Sequence, residues 1–531
     1  MKLSKLVSVL LAVVLLLTAC NTKTGEQTPT GSAAQSPAAP NIENATQIVL
    51  RDSDITVDGV AVGTDATAAV YVANDIVYYE SGKDFTYGEG SEKDAHTSEE
   101  AAAHAVVHIT KPGTYCLSGK LSLGQIAVDL GKDAKKDPDA VVTLVLNGID
   151  ITCEVAPAVI FYNVYECGND DADQASRDVD TSSAGANVII MDGTVNTVNG
   201  SYVERIYKPD SVVLNEDKTE VEDADKLHKY DGAFYSKRSM NIFGGKENTG
   251  VLNIKAENEG LDSEMHLTIN GGDIYIESGN DGINTNEDGV SVTTVNGGRL
   301  TIRVTGETGE GDGIDSNGWL VINGGIVDAA ACSNSADAGI DSDMGIHING
   351  GTVIATGHML DRIADGGQNY AVFQFSRVQN GSEAVTMKDQ SGTAILETKP
   401  ENAYSVLLFS SPDLKAGTYT LWSDGIQLAG SGGGMMGGPG MERPEQPGGM
   451  QPPAEGQPPE GFVPPEGGTP PDDFAPPQGG TPPEDGGRPE MPDDSRPDNP
   501  GGNHLDQQAA TPDFVIRDGG NMFGSVEPAV S

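Results

Sequence analysis

Asn-Gly-Gly recurs at Asn270, Asn296, Asn323 and Asn349, at spacings of 26, 27 and 26 residues, and Phe243-Gly244-Gly245 stands one period further upstream. A fixed period in the twenties is the signature of a solenoid, whose units bury their apolar face only against one another. Each unit here repeats one sentence, as in GDGIDSNGWLVINGG (Gly311–Gly325) and AGIDSDMGIHINGG (Ala338–Gly351), with related runs from Gly260 and Asp281. Every unit holds two or three short strand-like runs between Gly turns and no helical periodicity. The Leu spacing of a leucine-rich repeat is missing. The reading is a parallel β-helix in which each unit is one coil, stacked about 4.8 Å from the next.

Side-chain alternation then assigns directions. Leu267 and Ile269, Leu320 and Ile322, and Ile346 and Ile348 point into the coil, while Thr268, Val321 and His347 point out, as do His266 and Trp319 one step back. In the preceding turn Leu261, Ile283, Ile314 and Ile340 point in. Their neighbours Asp262, Asn284, Asp315 and Asp341 form an outward ladder, and Glu264, Asn286, Asn317 and Asp343 form a second one two residues on. Carboxylates stacked at that separation repel by about 1 kcal/mol per pair even in a water-like dielectric. A hard cation removes that cost, and Ca²⁺ takes six to eight oxygens from carboxylates, amides and carbonyls. The expected donors are Asp262, Glu264, Asn284, Asp315, Asn317, Asp341 and Asp343, joined by Asp281, Asp312 and Asp337 just before the turns. The competing explanation is that Asp and Asn serve turn geometry alone. Neither an EF-hand spacing nor a nonapeptide calcium repeat is present.

The rest of the chain frames this repeat. Lys2 and Lys5, the apolar run Leu6–Leu17 and Leu17-Thr18-Ala19-Cys20 predict a lipoprotein signal at 1–20, with Cys20 as the lipid-bearing residue; the apolar run is short for a spanning helix. Residues 21–45 predict a disordered tether and 46–400 the β-helix domain, with polar insertions near 168–185 and 201–229. A closing β segment is expected at 401–429. Of the 30 prolines, 19 lie between Gly430 and Asn503, so 430–510 reads as a Pro/Gly-rich disordered loop, and strands return at 511–531. Beyond Cys20 the cysteines are Cys116, Cys153, Cys167 and Cys332, with no Cys-x-x-Cys spacing; a Cys153–Cys167 disulfide and four small buried thiols are both compatible with it. The net charge of −47 argues against a nucleic-acid partner.

Several runs resemble a known family in wording and in order. They are GTYCLSGKLSLGQIAVDL (113–130), VTLVLNGIDIT (142–152), APAVIFYN (156–163), DGAFYSKRSMNIFGG (231–245), the Gly-Ile/Leu-Asp-Ser units and YSVLLFSSPDLKAGTYTLW (404–422). The chain resembles the secreted clostridial carbohydrate-binding β-helix proteins, which are similar in fold to pectate lyases. The resemblance implies a right-handed parallel β-helix, bound Ca²⁺, and binding of cellulose or polygalacturonate. The residues alone point to coils and cation sites, not to a polysaccharide.

Three functions compete. A non-catalytic module would hold polysaccharide, whether cellulose, polygalacturonate or an envelope glycan, through calcium and outward side chains; Trp319, His266 and Lys237 are the candidate ligand contacts. It would be anchored by lipid at the extracellular face of the membrane. A calcium-dependent pectate-type lyase would need a basic side chain as general base. From Gly260 to His358 there is no Lys, and Arg occurs only at 299 and 303, which leaves Lys237 as the best candidate. Polygalacturonase signatures are not matched. The third reading is a structural envelope spacer or adhesin.

Overall fold

Short apolar runs broken every few residues by Gly cannot build helices, and strands dominate the chain. The computed structural model describes residue 42 and residues 44–434 and 510–529. The expected signal peptide, nearly all of the expected tether and most of the Pro/Gly-rich segment lie outside the described residues. Among the described residues, thirty-five strands form a 25-stranded, an eight-stranded and a two-stranded sheet, beside one five-residue α-helix, Ser98–Ala102. That helix is held by a capping box between Thr97 and Glu100. The fold is all-β.

Successive repeats pair strand on strand in three parallel ladders. In the turn ladder, Val159–Asn163, Gly232–Ser236, Glu259–Ser263, Ile283–Thr285 and Ile314–Ser316 follow one another. The asparagine ladder runs Ala186–Ile190, Met240–Gly244, Leu267–Ile269, Val292–Val295, Trp319–Ile322 and Gly345–Ile348. A third ladder runs Val195–Gly200, Val251–Ala256, Asp273–Ser278, Arg299–Val304, Ile326–Ala330 and Thr352–Gly357. Leu261, Ile283, Ile314, Leu267, Leu320 and Ile346 are all 0 % exposed and join one core cluster. Next to the acids of the turn ladder lies a register of buried hydroxyls, Ser236, Ser263, Thr285 and Ser316. They close turns: Ser236 donates to the Arg238 carbonyl at 2.6 Å and Ser316 to the Trp319 carbonyl at 3.0 Å.

The glycine before each Ile/Leu-Asp/Asn pair is dictated by packing. A Cβ at Gly260 would press on the Gly282 carbonyl and Ile276, and one at Gly282 on the Gly313 carbonyl and Ile302. Glycine lets one rung lie directly on the next.

The parallel stack ends at Thr352–Gly357, which pairs antiparallel with Tyr404–Ser410. From Tyr370 on, upstream of the expected 401, the chain forms a mainly antiparallel assembly around Phe373, Phe409, Phe514 and Phe523. Gly520–Pro528 completes it, pairing with Tyr370–Gln379 and Ile426–Gly434. The two sides of the Pro/Gly-rich segment meet where Gly430 and Thr511 exchange backbone hydrogen bonds of 3.0 and 2.9 Å.

Both polar insertions fold back onto the ladders. The first is tied to the asparagine ladder by Thr181, whose hydroxyl lies 2.8 Å from Thr268 Oγ1 and 2.8 Å from Asn241 Oδ1. The second packs against residues 79–91, with Tyr207 N–H donating to the Tyr87 carbonyl and Glu89 N–H to that of Arg205. Cys116, Cys153, Cys167 and Cys332 are all free thiols, so the Cys153–Cys167 pairing is not formed.

Candidate functional site

The turn ladder carries a continuous acidic stack. Asp262, Asn284 and Asp315 sit in direct register, and Asp341 continues the row through its N–H to the Ile314 carbonyl at 2.7 Å. The residues before each Gly, namely Glu259, Asp281 and Asp312, form a second row three residues earlier in each unit, where Gly260 N–H donates to the Asp281 carbonyl and Gly282 N–H to that of Asp312, both at 3.0 Å. The two rows meet between rungs. Asn284 Nδ2 donates to Glu259 Oε1 at 3.0 Å, and oxygens of Asp312, Asp315 and Asp341 lie within 4.8 Å of one another. Backbone N–H groups tie the rungs together: Asp312 N donates to Asp281 Oδ1 at 2.7 Å, and Ala338 N to Asp312 Oδ1 at 2.6 Å.

These acids are turned away from the apolar core yet covered. Asp262 was expected to face solvent and is 0 % exposed. Residues 201–231 close over that end of the stack, bringing Arg205 Nη2 to 2.8 Å from Asp231 Oδ2. Three oxygens are left buried with no hydrogen-bond partner: Glu259 Oε2, Asp262 Oδ2 and Asn284 Oδ1. An unsatisfied buried acceptor costs about 1–3 kcal/mol, more when charged. Burial, then the neighbouring charge of Asp231, pushes Glu259 up to about 8. Burial and then Asp281 push Asp312 up to about 9, and burial and then Asp361 push Asp341 up to about 7. Burial also holds Asp262 and Asp281 well above the usual carboxylate range. Carboxylates and a carboxamide that lack donors form a donor set of hard oxygens, which suits Ca²⁺. The residues fit that ion where Asp312, Asp315 and Asp341 converge, and the partnerless oxygens of Glu259, Asp262 and Asn284 supply further hard donors along the stack.

The other expected donors are placed differently. Asp337 accepts the Gly311 N–H at 2.6 Å and a hydrogen bond from Ser335, so it braces the adjoining loop. Glu264 accepts from the Tyr235 hydroxyl at 2.9 Å, and Asn286 donates to Asp262 Oδ1 at 2.6 Å. Asn317 donates to Asp288 at 3.0 Å, away from the triad, and Asp343 is exposed at the next rung.

Among the expected ligand contacts, His266 must be corrected. It is 2 % exposed, its Nδ1 accepts the Val292 N–H at 3.1 Å, and Gly168 of the first insertion lies against its ring. Alternation does turn it outward, but the insertion seals it. Trp319 is half-buried on the asparagine ladder, in register with Val292 and Gly345. Lys237 is half-buried near Glu264, whose carboxyl is held above its ordinary value by burial, with the Tyr235 hydroxyl and then Lys229 and Lys237 opposing that rise.

Glu259, Asp231 and Arg205 belong to the site and were not anticipated. A signal for Glu259 was present, since Glu259-Gly260-Leu261 occupies the same place as Asp281-Gly282-Ile283 and Asp312-Gly313-Ile314. Strict alternation would send Glu259 to the side of Leu261; its contact with Asn284 shows that alternation does not hold through the glycine.

The family model described as "Carbohydrate-binding domain-containing protein" matches residues 103–356. No curated protein matches the chain. Among solved structures, the polysaccharide lyase-like protein from C. thermocellum, in a gadolinium derivative, is similar at 20 % identity over 58 % of this chain and 90 % of that one, with a TM-score of 0.33.

Proposed function

We propose that this protein is a non-catalytic polysaccharide-binding lipoprotein. In this reading its three ladders are the faces of one right-handed parallel β-helix, and its acidic stack holds calcium. The observation that carries the calcium reading is the set of buried, unpartnered oxygens on Glu259, Asp262 and Asn284. The carbohydrate-binding match over 103–356 supports a polysaccharide partner of the cellulose or polygalacturonate kind. Lipidation at Cys20 would place the chain on the extracellular face of the membrane.

Calcium bound between the two acidic rows would supply the positive centre that a uronate carboxylate needs to approach a protein of this net charge. The chain's own residues do the rest. Asp312, Asp315 and Asp341 bring three half-exposed carboxylates within 4.8 Å of one another. Asp281 and Asp312 are oriented by the backbone N–H groups they accept. The non-catalytic reading rests on the basic groups. Arg205 is engaged with Asp231 at 2.8 Å and so is not free to take a proton from a sugar.

The test is metal analysis of the protein from residue 46 onward, followed by retention on polygalacturonate with and without chelator, and ultraviolet detection of unsaturated uronate. Bound calcium and calcium-dependent retention without product are expected. Unsaturated product would establish the lyase instead, and absence of both metal and retention would leave the spacer.

A further inference from the structure

A second surface, on a different ladder from the acidic stack, has no part in the calcium reading. The first insertion does not merely cover the asparagine ladder. Pinned at Thr181, it runs on until Arg177 Nη1 reaches His347 Nδ1 at 2.8 Å, and a groove of about 710 Å³ remains between it and the ladder. The floor is the row Asn270, Asn296, Asn323 and Asn349, with Thr294 and Val321 beside it.

The floor amides are bonded head to tail. Asn296 Nδ2 donates to Asn270 Oδ1 at 2.9 Å, Asn323 to Asn296 at 2.9 Å, and Asn349 to Asn323 at 2.8 Å. This locks every carboxamide the same way round. A carboxamide has two N–H donors and two acceptor lone pairs, and each ladder contact uses one donor and one lone pair. The exposed Asn323 and Asn349 therefore keep further capacity towards the groove. The array is uncharged, hydroxyl-compatible and repeats every ~4.8 Å along the stack, a spacing that suits a linear polymer lying along the ladder. The charged groups of the groove, Arg177, Asp178 and Asp180, all belong to the insertion wall, and Val321 offers an apolar contact for a sugar ring face. No Lys or Arg side chain is part of the floor.

We infer that this groove binds a neutral, hydroxyl-rich linear glycan without calcium, while polyuronate is held separately at the acidic stack. The inference rests on the polysaccharide-binding reading but not on its metal. The full chain is tested for retention on insoluble cellulose and on polygalacturonate, each with and without chelator. The variants are Asn323→Ala/Asn349→Ala and, in case the ladder needs those amides to fold, Val321→Trp, which leaves the ladder intact and fills the groove. Cellulose retention should be indifferent to chelator and fall by about tenfold or more in the double variant, at about 1 kcal/mol per lost hydrogen bond. It should be abolished in Val321→Trp, with polygalacturonate retention unchanged. Cellulose retention that survives both substitutions, or polygalacturonate retention with none on cellulose, overturns the groove alone. Retention on neither polymer overturns the polysaccharide reading itself.

Discussion

Removing calcium should make the stability of this protein fall as pH rises. Glu259 has an ordinary value of 4.5 and is pushed up to about 8, mainly by burial and then by Asp231. Asp312 is likewise pushed from 3.8 to about 9. Between these limits the unfolded chain has released both protons and the metal-free folded chain keeps them. Folding then takes up a proton at each group, so stability is greatest below the unfolded values and is lost as pH climbs to the folded ones. Each group contributes about 1.4 kcal/mol per pH unit, and the two together about 3 kcal/mol per unit. Calcium reverses the logic, since it stabilises the ionised carboxylates, and at a hundred times its Kd it adds about 2.7 kcal/mol. The assay is urea unfolding at pH 5, 6, 7 and 8, in chelator and in excess calcium. The expected result is a steep decline in chelator and a flat profile with calcium. A chelator profile that is flat or rises with pH, or one identical to the calcium profile, refutes the reasoning.

Three substitutions probe other parts of the molecule. Asp315→Asn removes one charge of the triad and should weaken calcium about tenfold by calorimetry, since charge count tunes such sites, while metal-free stability at pH 8 should rise. Arg205→Met leaves Asp231, whose side chain is 4 % exposed, without its cation; the cost should be about 3–5 kcal/mol in urea, and a loss below about 1 kcal/mol would show that the pair is dispensable. His228 is buried with neither ring nitrogen partnered and stacks on Tyr230 at 4.3 Å, and burial pulls it down to about 4. His228→Phe keeps the stack and removes two unsatisfied atoms, so the melting temperature should hold or rise.

Much of the stack was legible because it obeys alternation and period. The residues assigned inward on the asparagine ladder lie in the core, and the Asp262–Asn284–Asp315 row is in register as the spacing requires. What the period carries no information about is everything that does not repeat. Arg205 reaches the acids from an insertion with no counterpart in the other units, and the seal over His266 and the groove wall come from another. Glu259 was hidden for a different reason: its place in the repeat was visible, but its contact with Asn284 departs from the alternation that a two-residue rule assumes.

Gly430 and Thr511 are hydrogen-bonded and the strand runs on to Gly434 against Gly520–Pro528, so the stretch between Gly434 and Thr511 is a side branch with both ends held by the same assembly. Closing such a branch costs only about 0.6 kcal/mol more for each doubling of its length. Its length is therefore free to drift in evolution, by gain or loss of Pro/Gly units, without altering the strands on either side. Excision down to a short turn should leave the assembly around Phe373 and Phe523 standing. A protease that cuts within the branch should yield two polypeptides that co-purify, since Gly520–Pro528 is held by pairing on both sides.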